Sequence, residues 1–487
     1  MIKINGSKLK EKIFQGVVRL LLLLSKLCLR NAKVRRFAFK KVRERLAHRL
    51  IVNRGSKQAE DKYYMGKAAL RSLERTMEGN ISSKYFKALV EYTLGGVLWG
   101  GKIGPKRKFY EEKGFYPPSF VLICPTQACN LDCPGCYTAS GKGKWGNTLK
   151  YEVVDRVVRE MKELWRAHVV VFSGGEPLLY PHLFDVARKH GDVLFLIYTN
   201  GTLINEKMAQ RLAEVGNITP AISVEGFEGE TDARRGKGVY RKILTAFANL
   251  REAGVPFGIS VTATRENVDA VTSDKFYDFY FEEQGAKYQW QFHYMPIGKS
   301  YTLALMPTPE QRLFMRERKR KMEREKEYFI GDFWNDSTVV CGCIAAGRRG
   351  SERWCGGHFN ITGAGDCTPC GFQPYAADNI NEVYEKGGDL NTVLESDFFR
   401  AIREWQTSYG YGKPDGEQNN LLMTCPIRDH YQVYYEQILQ KYHPRPIYDE
   451  AQAAMEDEEY RKGLINYGKE LRRLSRPIWE KEYLSKK

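Results

Sequence analysis

From residue 119 onward, short apolar runs alternate with longer stretches in which apolar residues recur every three or four positions. "SFVLICPT" (119–126), "HVVVFSGGEP" (168–177), "VLFLIYTNG" (193–201), "ITPAISVEG" (218–226), "PFGISVTATREN" (256–267) and "AKYQWQFHYMPIG" (286–298) read as strands. Between the first two, "YEVVDRVVREMKELW" sets Val154, Val157, Val158, Met161 and Trp165 on one helical face. "NEKMAQRLAEVG", residues 239–253 and a stretch near 273–284 supply further helices. Six strands alternating with helices predict parallel βα units, that is, an α/β partial (β/α)6 TIM-like barrel over 116–300. Polar and glycine residues at the strand ends put a site at the C-terminal rim. On the last strand, Tyr288, Trp290, Phe292, His293 and Tyr294 line a substrate cavity where they point inward, although core packing is the more ordinary role for each.

The flanks have different patterns. In residues 1–115, "VVRLLLLLSKLCLR" (17–30) is apolar, but Arg19 and Lys26 leave its uninterrupted run short of the roughly 20 residues a bilayer span needs. "VRRFAFKKVRERLAHRL" (34–50) sets Val34, Ala38, Val42, Leu46 and Leu50 on one stripe with Arg and Lys opposite. Residues 301–340 contain "RLFMRERKRKMEREKEYF" (312–329), whose mixed charges predict an exposed linking helix. Residues 341–435 are rich in cysteine and glycine, and 436–487 predict a packed, helical tail.

Charge sharpens the reading of the N-terminal module. The chain carries +17, of which residues 1–58 hold 17 Lys/Arg against Glu11 and Glu44, a net +15. A basic amphipathic helix suits an anionic membrane surface, giving an expected location peripheral to the inner face of the cell membrane, in the cytoplasm. A helical domain packed on the body is the alternative. Nucleic acid is not expected as a partner, because a basic patch alone names no polyanion.

Ten of the eleven cysteines fall in three groups, at 124–136, at 341–370 and at Cys425; Cys28 stands apart. Short spacings of this kind indicate metal ligation rather than disulfides. Cys129, Cys133 and Cys136 are spaced C-x3-C-x2-C just past the first strand, at the rim. Three thiolates with an open fourth position suit a [4Fe–4S] cluster better than structural zinc, which takes four protein ligands. Cys124 lies within the strand and reads as structural. In the second group, "HFNIT" followed by "GAGD" predicts a β-hairpin with Cys355 and Cys370 near its ends.

The first cysteine group resembles the signature of the radical S-adenosylmethionine (radical SAM) enzymes, with Tyr137 as the aromatic that follows the third cysteine. The resemblance covers 116–300. "SGGEP" resembles the family's second-strand motif and implies that Gly174, Gly175 and Glu176 hold the methionyl amino group. "YTNG", with Asn200, resembles the segment near the ribose, and "SVEG" implies the same for Ser223 and Glu225. "DARRG" implies that Arg235 pairs with the methionyl carboxylate. The implied chemistry is reductive cleavage of S-adenosylmethionine at the cluster. The resulting 5′-deoxyadenosyl radical takes hydrogen from an unactivated carbon, and a low-potential donor of the flavodoxin or ferredoxin type supplies the electron.

The region 341–435 resembles the SPASM or shorter twitch domains that carry auxiliary clusters. Their downstream cysteine run is missing, so the resemblance implies one auxiliary cluster, taken as [4Fe–4S]. Its ligands would be Cys343, Cys355, Cys370 and Cys425. Cys341 is the alternative to Cys343, and Cys367 to Cys370; zinc is the competing metal. The apolar, basic N-terminal module points to a membrane lipid or its acyl chain as substrate. Peptide or protein modification, small-molecule dehydrogenation and a non-enzymatic iron–sulfur redox module are the alternatives.

Overall fold

The computed structural model describes residues 29–53, 55–98, 103–347, 357–411 and 413–484. All but the last two residues of the apolar run expected over 17–30, and the ligand expected at Cys355, lie outside the described residues. Seven strands lie side by side and parallel in chain order. They are β1 (Val121–Ile123), β2 (Val169–Phe172), β3 (Leu194–Thr199), β4 (Ile218–Val224), β5 (Gly258–Ala263), β6 (Gln289–His293) and β7 (Ile330–Asp332). On the free side of β1 lies β8 (Asn360–Ile361), also parallel. It forms a hairpin with β9 (Asp366–Thr368), whose register pairs Ile361 with Cys367. The fold is a mixed α/β partial barrel. Among the described residues it carries eight parallel strands rather than six, because β7 and β8 come from regions that read as linker and as auxiliary domain.

Helices α1 (Ala32–Ala47), α2 (Lys57–Glu78) and α3 (Ser83–Leu98) precede the sheet. Helix α4 (Tyr151–Trp165) connects β1 to β2, α5 (Glu228–Arg235) follows β4, and α6 (Pro309–Glu325) connects β6 to β7. Helix α4 buries Val154, Val157, Val158, Met161 and Trp165, the stripe expected of it. Along β3 the two-residue alternation is clean. Phe195 and Ile197 join the large core under the helices, whereas Leu196 and Tyr198 face the barrel interior with Leu122, Val171 and Trp290.

Two helices differ from expectation. Helix α6 is not an exposed linker, since Arg312, Met315, Arg316, Lys319, Met322 and Glu323 are all buried. Its charges are paired: Arg312 with Asp429 at 2.7 Å, and Lys319 with Asp336 at 2.6 Å and Glu323 at 2.7 Å. The stripe expected on α1 divides. Val34 and Val42 are exposed, Leu46 packs toward Gly66 of α2, and Leu50 is buried. Phe37, off the expected stripe, is 63% exposed. No helix among the described residues is long and apolar enough to cross a membrane.

Helices α2 and α3 cover the N-terminal ends of the strands. Ser72 donates to the Lys287 carbonyl at 2.5 Å, just before β6. Tyr85 donates to the carbonyl of Ile218, the first residue of β4. The N-terminal module is therefore packed on the barrel from α2 onward.

Candidate active site

Beyond β1 the chain turns back across the end of β2. Gly175 N donates to Thr126 O and Glu176 N to Ala128 O, both at 2.9 Å. This approach requires the two glycines. A Cβ on Gly175 would lie 2.0 Å from the Ala128 carbonyl oxygen, and Gly174 (φ +98°) would crowd Cys124 and Thr126 at 2.8 Å. Cys124 stays buried behind the loop, its thiol 3.4 Å from Asn360 Oδ1 on β8. The loop turns Cys129, Cys133 and Cys136, all half-buried, into one cavity. Cys129 Sγ accepts from Leu131 N at 3.4 Å. Tyr137 OH lies 2.6 Å from Ser173 Oγ, and its ring packs on Phe372 at 5.3 Å.

Burial pushes the Cys129 thiol up to about 11. It raises Cys133 too, against the opposing pull of Arg235 and Arg234. A strong cation beside Cys129 and Cys133 would offset that rise and favour their thiolates, which is the chemistry of an iron–sulfur cluster seat. The residues present fit that group.

Both carboxylates expected at the site stand behind the cavity wall rather than in it. Glu176 is fully buried and accepts from Thr199 Oγ1 (2.7 Å), Asn200 N (2.8 Å) and Leu178 N (3.1 Å). It ties the end of β2 to the end of β3, and of this turn Ser173, Gly174 and Gly175 line the cavity. Burial raises its pKa and the three donors oppose the rise. Glu225 is also buried. Arg234 reaches it at 2.8 Å and Arg235 at 2.5 Å. The arginines, not the acid, line the cavity, together with Asn200 and Ser223. The motif "DARRG" marks Arg235; Arg234, the other member of the doublet, lines the cavity as well.

The cavity encloses about 420 Å³. Along β2 and the turn that follows it, lining residues run from Val169 to Gly175. Its wall is largely apolar, with Trp290, Phe292, Phe333 and Phe372 prominent. Phe292 and Phe333 stack at 5.3 Å, and Phe333 and His358 approach at 6.4 Å, so rings from the ends of β7 and β8 bridge the gap between the outer strands. Of the β6 residues singled out earlier, Trp290, Phe292, His293 and Tyr294 line it. Tyr288 does not; its hydroxyl lies 2.7 Å from Thr219 Oγ1. His293 sits 3.1 Å from Asp332 and 3.3 Å from Arg428, neither of which the sequence marked. The arginine can only donate, so the ring proton is on Nε2, facing Asp332.

In the second cysteine group, burial pushes Cys425 up to about 12, with Asp429 and Cys343 adding to it. Burial also raises Cys370, and Cys343 and Cys425 add to that rise. These three thiols lie within electrostatic reach of one another. Cys367 lies elsewhere on β9, beside Asp378 and Asp366, with its thiol 3.7 Å from Gly365 O. Cys341 is buried in a left-handed turn (φ +58°).

A parallel barrel with three cysteines on the loop after its first strand and a glycine rim on its second defines a cluster-binding enzyme fold. Residues 123–273 match the family profile of the Radical SAM superfamily. That stretch is a radical SAM domain, and the chain is an enzyme. It is 26% identical over 283 residues to the AdoMet-dependent heme synthase of Methanosarcina barkeri, covering 54% of this chain and 80% of that one. It is 28% identical over 310 residues to the mycofactocin maturase MftC of Mycolicibacterium smegmatis, covering 61% and 75%. The crystal structure of Streptococcus suis SuiB bound to precursor peptide SuiA aligns with a TM-score of 0.49 at 18% identity, over 61% of this chain and 69% of that one.

Proposed function

We propose that this enzyme removes a hydrogen atom from a carbon of a peptide side chain inserted into the barrel cavity. The observation that carries this reading is the cavity itself, an apolar, ring-lined chamber with three half-buried thiols and two arginines at one end. The maturase relatives, matched over three quarters of their length, support a peptide over the lipid first expected. Cys129, Cys133 and Cys136 would hold the catalytic [4Fe–4S] cluster. When bound, that cluster and S-adenosylmethionine supply reductive carbon–sulfur cleavage and, from it, hydrogen abstraction. The backbone of Gly174 and Gly175, with Asn200 and Ser223, borders the space beside the thiols. Arg235 and Arg234 supply positive charge for a carboxylate, and buried Glu225 holds both guanidinium groups in place. Glu176 keeps the two strand ends in register. The apolar wall excludes water from the reacting carbon. Cys343, Cys370 and Cys425, with Cys355, would hold an auxiliary cluster. A flavodoxin- or ferredoxin-type protein would be the external reductant.

A second reading, an apolar chain of a membrane lipid, is favoured by α1. Phe37, Val34 and Val42 are exposed there among Lys33, Arg36, Lys40, Lys41 and Arg45. Such a face suits peripheral contact with an anionic membrane.

The test is anaerobic. The reconstituted, reduced enzyme is given S-adenosylmethionine with low-molecular-mass host extract, the same extract after protease digestion, or vesicles of host lipid. The peptide reading expects 5′-deoxyadenosine formation to rise with extract and to lose that rise after digestion. Stimulation that survives protease and follows the lipid would overturn it in favour of the second reading.

A further inference from the structure

The chamber does not end within the barrel. Its wall continues past the first residue of β2, Val169, to Phe120 ahead of β1 and to Met65 of α2. Among the described residues, Met65 is the only wall residue that precedes Phe120 in the chain. We infer that α2 is the floor of the substrate chamber and that Met65 sets how deep an apolar group can enter. This rests on the proposal that an apolar group occupies the chamber.

The sequence of α2 accounts for the placement. Asp61, Met65, Ala68 and Ser72 recur at helical spacing and therefore share one face. The contacts of that face identify what it meets. Asp61 accepts from Thr338 at 2.9 Å and from Tyr483 at 2.6 Å, and it pairs with Arg320 of α6. Ala68 is fully buried. Ser72 reaches the Lys287 carbonyl at the foot of β6. Neighbouring turns are held as well, Glu60 to Arg324 at 2.8 Å and Lys67 to Glu327 at 2.8 Å. From behind, Leu46 of α1 lies so near Gly66 that a Cβ there would sit 2.9 Å from it. Met65 is thus an unbranched, adaptable side chain on a helix fixed to the barrel before and after it. A change at this position alters the depth of the chamber without loosening its floor.

The probe is a homologous series of straight-chain 1-alkanols, titrated by calorimetry into the reconstituted enzyme loaded with S-adenosylmethionine. Met65→Ala deepens the chamber and Met65→Phe makes it shallower. The affinity ratio of a long to a short alkanol should rise about tenfold in the first variant and fall comparably in the second, the scale of one to two buried methylenes. Met65→Leu should stay within about twofold of the parent. Unchanged S-adenosylmethionine affinity and thermal midpoint would show that the variants fold. A purely structural residue would move all alkanols together, not in opposite directions by length. If alkanols bind the parent enzyme and neither variant shifts the length preference, the floor is not Met65. If no alkanol binds the parent enzyme, the apolar-chamber reading itself fails, a result distinct from the first.

Discussion

The two cysteine groups differ in surroundings more than in spacing. Cys129, Cys133 and Cys136 are half-buried on a loop at the mouth of the chamber, and Arg234 and Arg235 line the wall with them. Cys343, Cys370 and Cys425 are half-buried as well, but Cys425 is backed by a buried cage of charge. Its backbone N–H donates to Asp429 at 3.1 Å, and Asp429 in turn accepts from Arg312 at 2.7 Å and Arg428 at 3.0 Å. The Arg312, Asp429 and Arg428 side chains are wholly buried. Of Cys343, Cys370 and Cys425, only Cys370 lines the chamber. A site that must admit a second molecule keeps an open coordination position, and one that only passes electrons needs none. On the proposed function, the first group would react at its open coordination position and the second would store or pass an electron, with Cys370 as its point of contact with the chamber.

The largest expected effect separates the two groups outright. Changing Cys129, Cys133 and Cys136 together to Ala should reduce 5′-deoxyadenosine formation to background while leaving the iron of the second group bound. Iron analysis and the cluster absorption spectrum check the second half. Turnover that survives would refute the assignment of the first group, and a colourless triple variant would refute the auxiliary cluster.

Next in size is the cage. Asp429→Asn removes the charge between two buried guanidinium groups, which should cost about 3–5 kcal/mol. Chemical unfolding measures that loss, and iron at the second group should fall with it. A variant that keeps both its stability and its second complement of iron would show that the cage is not tied to the cluster seat. Smaller is the effect expected at the open site. Glu225→Gln leaves the helix intact but loosens Arg234 and Arg235, and S-adenosylmethionine affinity should drop about tenfold, or 1.4 kcal/mol. Rescue by Glu225→Asp would point to charge, and no change in affinity would assign the pair to packing alone.

Alternation and helical periodicity made the barrel strands and α4 legible, because each of these elements buries one face against a common core. The spacing of Cys129, Cys133 and Cys136 was legible for a similar reason, since all three ligands sit within one loop. Helix α6 was not. Arg312, Arg316, Lys319 and Glu323 form a stripe as regular as any apolar one, but their partners Asp429, Glu482 and Asp336 lie far along the chain. A helix whose charges meet partners from distant segments reads like one whose charges meet water. Strand β7 was missed because three residues carry too little alternation, and Glu176 and Glu225 were expected in the wall because a motif does not say which way a carboxylate points. Met65 had no signal at all, since a methionine on an amphipathic helix is ordinary core until the barrel stands beneath it.

The smallest effect concerns the wall that joins the two groups. His358 stacks on Phe120 at 4.9 Å and closes the chamber beside Phe333. It is buried, and burial pushes its pKa down to about 4, whereas the unfolded chain titrates near 6.5. The folded value is the lower one, so the stability that neutral His358 confers is whole above pH 6.5 and drains as the pH falls toward 4. Between pH 7.5 and 5.5 the loss should be about 1 kcal/mol. Other buried histidines contribute in the same direction, so the measurement is a difference. His358→Phe keeps the ring stack and removes the titration, and its unfolding free energy should fall less over that interval than the parent's. Equal slopes in the two proteins would mean that the imidazole is solvated, and that the chamber is open to water where the rings of β7 and β8 meet.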